Sequence, residues 1–175
     1  MVALSGRRSH LRAIVVMAIH TGMRRGELLN LKWQHVDFER SLLYVTNTKT
    51  GHDRDVPVNS LVRSVLLELR EISGSFEYVF TNPKTGTRLT EVKHGFVSAC
   101  REANIEDFHF HDLRHTTGTR LADRGVDAFA IAELLGHRDL QTTKRYTHAT
   151  EARRRRAVED LVGYGQGIVT KLSQK

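Results

Sequence analysis

Two arginines, a lysine, several histidines and a tyrosine in this chain are the groups that phosphoryl transfer without a metal would need. The segment His111-Asp112-Leu113-Arg114 sets a histidine and an arginine three residues apart. On a helix that spacing separates them by about 60° around the axis, so both can face one phosphate. An arginine's planar fork binds two phosphate oxygens at once. Fixed positive groups also neutralise the charge that builds up in the transition state. Leu134-Leu135-Gly136-His137, followed by Thr142-Thr143-Lys144-Arg145-Tyr146, supplies a further histidine and a nucleophile. One continuous helix would put His137 and Tyr146 on opposite faces, but Gly136 ends the helix and lets the chain fold back. A tyrosine that attacks phosphorus leaves a covalent intermediate, and the departing alkoxide must then receive a proton. Each segment alone also has a plainer reading. The first is a solvated helix face, His137 is a helix C-terminal cap, and Tyr146 is an amphipathic residue at a domain edge. His109, His111 and His115 form His-x-His-x3-His, but no nearby carboxylate or cysteine completes a zinc set, so no metal site is expected.

These groups need elements to hold them. Leu11, Ile14, Val15, Ala18 and Ile19 sit at helical spacing and predict a helix over about Ser9 to Ile19, interrupted at Thr21-Gly22. A short second helix carries Leu28, Leu29 and Leu31. Leu42 to Thr46 and Arg54 to Val58 read as a hairpin around Thr50-Gly51, and Tyr78-Val79-Phe80 as a third strand. Asn59 or Ser60 caps a helix with an apolar stripe at Val62, Val65, Leu66 and Leu69. The second half reads as helices only. One is capped by Thr90, one spans about Asp112 to Asp123, and one is capped by Asp127 and ended by Gly136. A short helix follows from about Leu140, and Thr150 caps the last. The expected fold is mainly α with a small antiparallel β-sheet, of the α+β class.

Composition narrows the partner. With 175 residues the chain can bury a real core as a single domain. Apolar residues at 39% and charged residues at 27% indicate neither disorder nor a membrane protein. The longest apolar run, Ala13 to Ile19, is too short to span a bilayer. The single Cys100 allows no internal disulfide and suits a reducing cytoplasm. A net charge of +7 points to an acidic partner, of which nucleic acid is the commonest.

Four segments in order resemble the motifs of the tyrosine recombinase (phage integrase) family. Thr21-Gly22-Met23-Arg24 with Glu27-Leu28 is similar to its opening motif, and Thr48-Lys49-Thr50-Gly51 to the hairpin that carries its lysine. His111-Asp112-Leu113-Arg114-His115-Thr116 looks like its His-x-x-Arg box. Leu135-Gly136-His137, Thr142-Thr143 and Tyr146-Thr147-His148 resemble its nucleophile box. The likeness runs from about residue 10 to residue 165 and implies the DNA breaking-rejoining fold of a catalytic domain. It implies site-specific recombination of double-stranded DNA, with strands cleaved and religated through a 3′-phosphotyrosyl bond and no cofactor. In that reading Arg24 and Arg114 clamp the scissile phosphate. His111 and His137 hydrogen-bond it or shuttle protons, Lys49 protonates the leaving 5′-hydroxyl, and Tyr146 attacks. Glu27 orients Arg24. Arg25, His115, Lys144, Arg145, Arg153 and Arg154 are candidate DNA contacts.

Family members usually place a helical core-binding domain before the catalytic one, whereas about twenty residues precede Thr21 here. The domain expectation is therefore one catalytic domain over residues 1–175 with that clamp half absent. The resemblance further implies a tetramer on DNA, a monomer in free solution, and the cytoplasm of a prokaryotic or phage host. A stripe of Val158, Leu161 and Val162 near the chain's end would dock on its own domain or on a neighbour. Three other readings compete. Asp127 to Tyr146 can be a helix-turn-helix without chemistry, the same chemistry can serve relaxation as in type IB topoisomerases, and a nuclease would need a metal.

Overall fold

The computed structural model describes residues 9–46, 53–82, 85–137, 139–144, 146, 155–156 and 158–162, with Ser9, Leu140 and Lys144 by their backbone alone. Helix α1, Ser9–Thr21, is apolar on most of its sides and is accordingly central. It buries Leu11, Ile14, Met17 and Ala18, and α2, α3 and α5 pack around it. Thr21 ends it by turning its hydroxyl back onto the Met17 carbonyl at 2.6 Å. The chain then reverses through Gly22, which has a φ of +65° that only glycine takes without strain. A Cβ there would also overlap the Leu135 side chain. This turn delivers Arg24 to the start of α2, Arg25–Leu29.

A 3-10 turn at Trp33–His35 leads into a three-stranded antiparallel sheet in the order β1-β2-β3, made of Val36–Asp37, Leu42–Val45 and Arg54–Pro57. The antiparallel pairing of β2 with β3 is as the sequence predicts, with Leu43 opposite Val56 and Val45 opposite Arg54, while the turn expected around Thr50-Gly51 lies outside the described residues. Leu43, Val45 and Val56 face the core, following the two-residue period of a strand. The third strand differs from expectation. It is Val36–Asp37, paired with β2, and not Tyr78-Val79-Phe80. Tyr78 makes one isolated bridge with Lys32, and the Val79 N–H donates to the Leu31 carbonyl at 2.9 Å. Val79 and Phe80 are buried as consecutive apolar plugs, which in sequence has the look of a core strand.

Helix α3, Ser60–Ser73, begins where Asn59 accepts the Val62 N–H at 3.0 Å, and it buries Val62, Val65 and Leu66. Helix α4, Lys93–Glu102, starts later than a Thr90 cap would require. The Glu91 carboxylate accepts the N–H groups of Val92 and Lys93 at 2.8 and 2.7 Å and so takes over the capping. Helix α5, Phe110–Asp123, starts two residues before Asp112, whose carboxylate reaches back to the His109 N–H at 2.6 Å. Helix α6, Ala128–Leu135, is capped by Asp127, which accepts from Phe129 and Ala130, and ends in a left-handed Gly136. Helix α7 is Leu140–Lys144. A large core gathers α1 to α5 and the sheet, and a smaller one joins Ala122, Ile131 and Leu135 with Tyr146 packed against it. Val158, Leu161 and Val162 are exposed on this chain. The expected Thr150 cap lies outside the described residues. No helix among the described residues is long and apolar enough to cross a membrane.

Candidate active site

Arg24 stands between α1 and α2, held from two sides. One arm of its guanidinium donates to Glu27 Oε1 at 2.9 Å and the other to the Gly136 carbonyl at 2.9 Å. Its own N–H donates to Glu27 Oε2 at 2.7 Å, which fixes the first turn of α2. Arg114 comes from the buried face of α5 and donates to the Gly22 carbonyl at 2.7 Å. The loop that ends α1 thus carries one arginine and anchors the other. His111, one turn earlier on α5, is exposed. Two grooves meet at Met23, Arg24, Arg25 and His111, which line both, and Arg114 lines the smaller, of about 380 Å³.

Burial pushes the Arg114 guanidinium down to about 10, and the charges of Arg24 and Arg54 add to the effect against Glu27 and Tyr146. It stays a cation at neutral pH, poorly hydrated and only partly neutralised, which is the state an incoming anion relieves. Burial alone would raise the Glu27 carboxyl. The bonds and charge of Arg54, with the N–H and guanidinium of Arg24, outweigh that and hold it below the usual carboxylate range. Glu27 is therefore an ionised support and has no proton to give.

Gly136 redirects the chain as its left-handed conformation demands. The His137 N–H closes on the Ala132 carbonyl at 2.9 Å, and His137 Nδ1 lies 2.8 Å from the hydroxyl of the fully buried Thr143. Tyr146 then returns over α5. Its hydroxyl is 2.7 Å from His115 Nδ1, and its ring stacks on His137 at 6.3 Å between centroids, 15° from parallel. Gly118 leaves the space for that ring, since a Cβ would meet it at 2.8 Å. The His111 ring stands edge-on to His115 at 4.8 Å, so a contiguous row runs from the groove to the tyrosine. Five of the six residues proposed from sequence as catalytic therefore converge: Arg24, His111, Arg114, His137 and Tyr146. Lys49 lies outside the described residues, although Thr46, at the end of β2, lines the larger groove.

Helix α7 has five residues with Thr143 buried, and Tyr146 beyond it returns to His115 on α5. The family model described as the phage integrase family matches residues 3–153. The chain belongs to the phage integrase family. It is 35% identical over 159 residues to the tyrosine recombinase XerA of Pyrococcus furiosus, covering 85% of this chain and 53% of XerA. It is 36% identical over 141 residues to the shufflon-specific DNA recombinase of Escherichia coli, covering 79% of this chain and 34% of that protein. It thus spans about half of XerA and a third of the shufflon recombinase. A crystal structure of XerA recombinase superimposes with a TM-score of 0.72 at 30% identity, over 90% of this chain and 58% of that one. The Tn1549 transposon integrase in complex with transposon right-end DNA shares the fold, with a TM-score of 0.78 at 22% identity over 92% of this chain and 62% of that chain.

Within this phage-integrase fold the remaining candidates separate. Arg25 is exposed, pairs with Glu91 at 3.1 Å and lines both grooves. His115, read from sequence as a DNA contact, has the tyrosine hydroxyl as its neighbour. Arg145, Arg153, Arg154 and the Lys144 side chain lie outside the described residues. One residue was missed altogether. Arg54 is half-buried, grips both oxygens of Glu27 at 3.0 and 2.8 Å, and donates its Nε–H to the Leu134 carbonyl at 3.1 Å. The sequence did hold a signal. Residues 54 and 56 share a face of β3, so a core-facing Val56 sends Arg54 inward too.

Proposed function

We propose that this chain is the catalytic part of a site-specific DNA recombinase that cuts and rejoins DNA strands through Tyr146, without a metal. The observation that carries this reading is the join between nucleophile and clamp. Tyr146 OH sits 2.7 Å from His115 on α5, the helix whose Arg114 is bonded to the carbonyl of Gly22, two residues before Arg24. A phosphodiester seated between Arg24 and Arg114 would have its transition-state charge met by two guanidinium groups. The tyrosyl oxygen forms a bond to phosphorus, the bond to the 5′-oxygen breaks, and Lys49 protonates that oxygen. His111 and His137 hydrogen-bond the phosphate or move the tyrosyl proton, and Glu27 holds Arg24 in register. The phosphotyrosyl ester keeps the bond energy, so reversal by a 5′-hydroxyl religates the strand. Double-stranded DNA is the substrate in this account, which places the protein beside the DNA in a prokaryotic cytoplasm. Subunits would be monomeric when free and would meet as a tetramer on DNA, with the exposed Val158, Leu161 and Val162 available for contact. The test is a nicked suicide DNA incubated with the protein and resolved on a denaturing gel. A covalent adduct supports the reading, and DNA binding with no adduct under any condition would refute it.

A further inference from the structure

We propose that Arg54 is a positioning residue that couples the phosphate clamp to the segment carrying the nucleophile, an inference that rests on the reaction proposed above. Arg54 does not line the groove where Arg24, His111 and Arg114 meet. It lies behind, with its side chain 9% exposed, against an equally buried Glu27, while Arg24 in front is 35% exposed. Glu27 is saturated. Oε1 accepts from Arg24 Nη1 and Arg54 Nη1, and Oε2 from the Arg24 N–H and Arg54 Nη2, which uses the four acceptor sites of a carboxylate. Arg24 alone would hold each carboxylate oxygen by a single bond. The bidentate fork of Arg54, from the opposite side, fixes the plane in which Arg24 must lie.

The same guanidinium reaches the other half of the site. The last carbonyls of a helix have no partner within it and form the negative end of its dipole. At the end of α6 the Leu134 carbonyl is taken by Arg54 Nε, and the carbonyl of the capping Gly136 just beyond it by Arg24 Nη2. Gly136 is pressed so closely that a Cβ on it would stand 2.9 Å from Arg54 Nη1. His137 follows at once, and Tyr146 stacks on its ring. Arg54 therefore ties β3, α2 and α6 together at one point, beside the direct bond from Arg24 to Gly136.

The experiment is a double-mutant cycle of Arg54→Lys with Arg24→Lys. Adduct formation on nicked suicide DNA is measured under single turnover, with DNA affinity and circular dichroism beside it. Lysine keeps the charge but bonds neither both carboxylate oxygens nor the carbonyl. Arg54→Lys is expected to slow the adduct on the order of 10²-fold, as an ångström-scale misplacement does, with DNA affinity within about threefold and the fold retained. In the Arg24→Lys background the same change is expected to cost under about threefold, because the residue it positions is gone. A merely structural role would cost the same factor in both backgrounds, and that result would overturn the proposal. So would a wild-type rate for Arg54→Lys. Guanidinium N–H signals of the free wild-type protein, labelled at arginine, give a readout independent of reaction and of any variant's folding. Those of Arg24 and Arg54 are expected to be rigid and slow to exchange, unlike exposed Arg12. If they are as mobile as Arg12, the proposal fails. If they are rigid but wild type forms no adduct, the coupling stands and the proposed reaction is what falls.

Discussion

Replacing Arg114 by lysine turns the burial of this site into a measurable pH dependence. Burial, then the charges of Arg24 and Arg54, push the guanidinium down to about 10. Burial and those two charges would lower an ammonium in its place as well, from the lower starting point of an ordinary lysine. The cation is the form that binds phosphate, so function is present below the folded pKa and is lost as pH rises through it. Wild type keeps most of its charge up to about pH 9, whereas Arg114→Lys would lose its charge at a lower pH. A plateau loss on the order of 10²-fold is also expected at pH 7, from the missing fork. The assay is adduct formation at sub-saturating protein over pH 6 to 9.5, a regime that reports ionisation of the free protein. The ratio of wild-type to variant rate cancels whatever Tyr146 itself contributes. It is expected to stay flat at the acid end of the range and to grow toward the alkaline end. A ratio independent of pH would mean that residue 114 is solvated, and would refute the desolvated clamp.

Other perturbations address separate parts of the account. Gly136→Ala forces a side chain into a left-handed residue and against Arg54. It should cost about 1–2 kcal/mol, read as a lower melting temperature, together with slower adduct formation; unchanged values of both would contradict the close approach. Cleavage should persist in EDTA and weaken steeply with salt, as phosphate contacts release counterions, and a requirement for added magnesium would sink the metal-free mechanism. Deleting residues 156–175 should weaken assembly on a full DNA site more than binding of the first subunit. Equal assembly by the truncated chain would show that the exposed apolar residues there have no role between subunits.

Legibility in the sequence followed the range of the interaction involved. Asp127 before α6, Asn59 before α3 and Gly136 after α6 act on residues within a turn of themselves, so type and position alone reveal them. Strand Val36–Asp37 is too short to show any period, and Tyr78 to Phe80 imitates a strand because its residues are buried for tertiary reasons. The start of α5 was hidden because His109 is no capping type, and Asp112 does that work from inside the helix. At the site, motif order pointed to Arg24, His111, Arg114, His137 and Tyr146. The one local mark of Arg54 is the strand face it shares with Val56, since its partners Glu27 and Leu134 lie 27 and 80 residues away. The contact of His115 with Tyr146, 31 residues on, depends in the same way on where the chain folds back after Gly136.

In the proposed reaction Tyr146 becomes bonded to DNA. The most direct measurement digests the protein after reaction with nicked suicide DNA and maps the modified peptide by mass spectrometry, with Tyr146→Phe alongside. The expected result is a nucleotide 3′-phosphate on Tyr146, and no adduct from the phenylalanine variant although it binds DNA with near wild-type affinity. An adduct on Tyr44, Tyr78, Tyr164 or any other residue, or one that survives Tyr146→Phe, would contradict it.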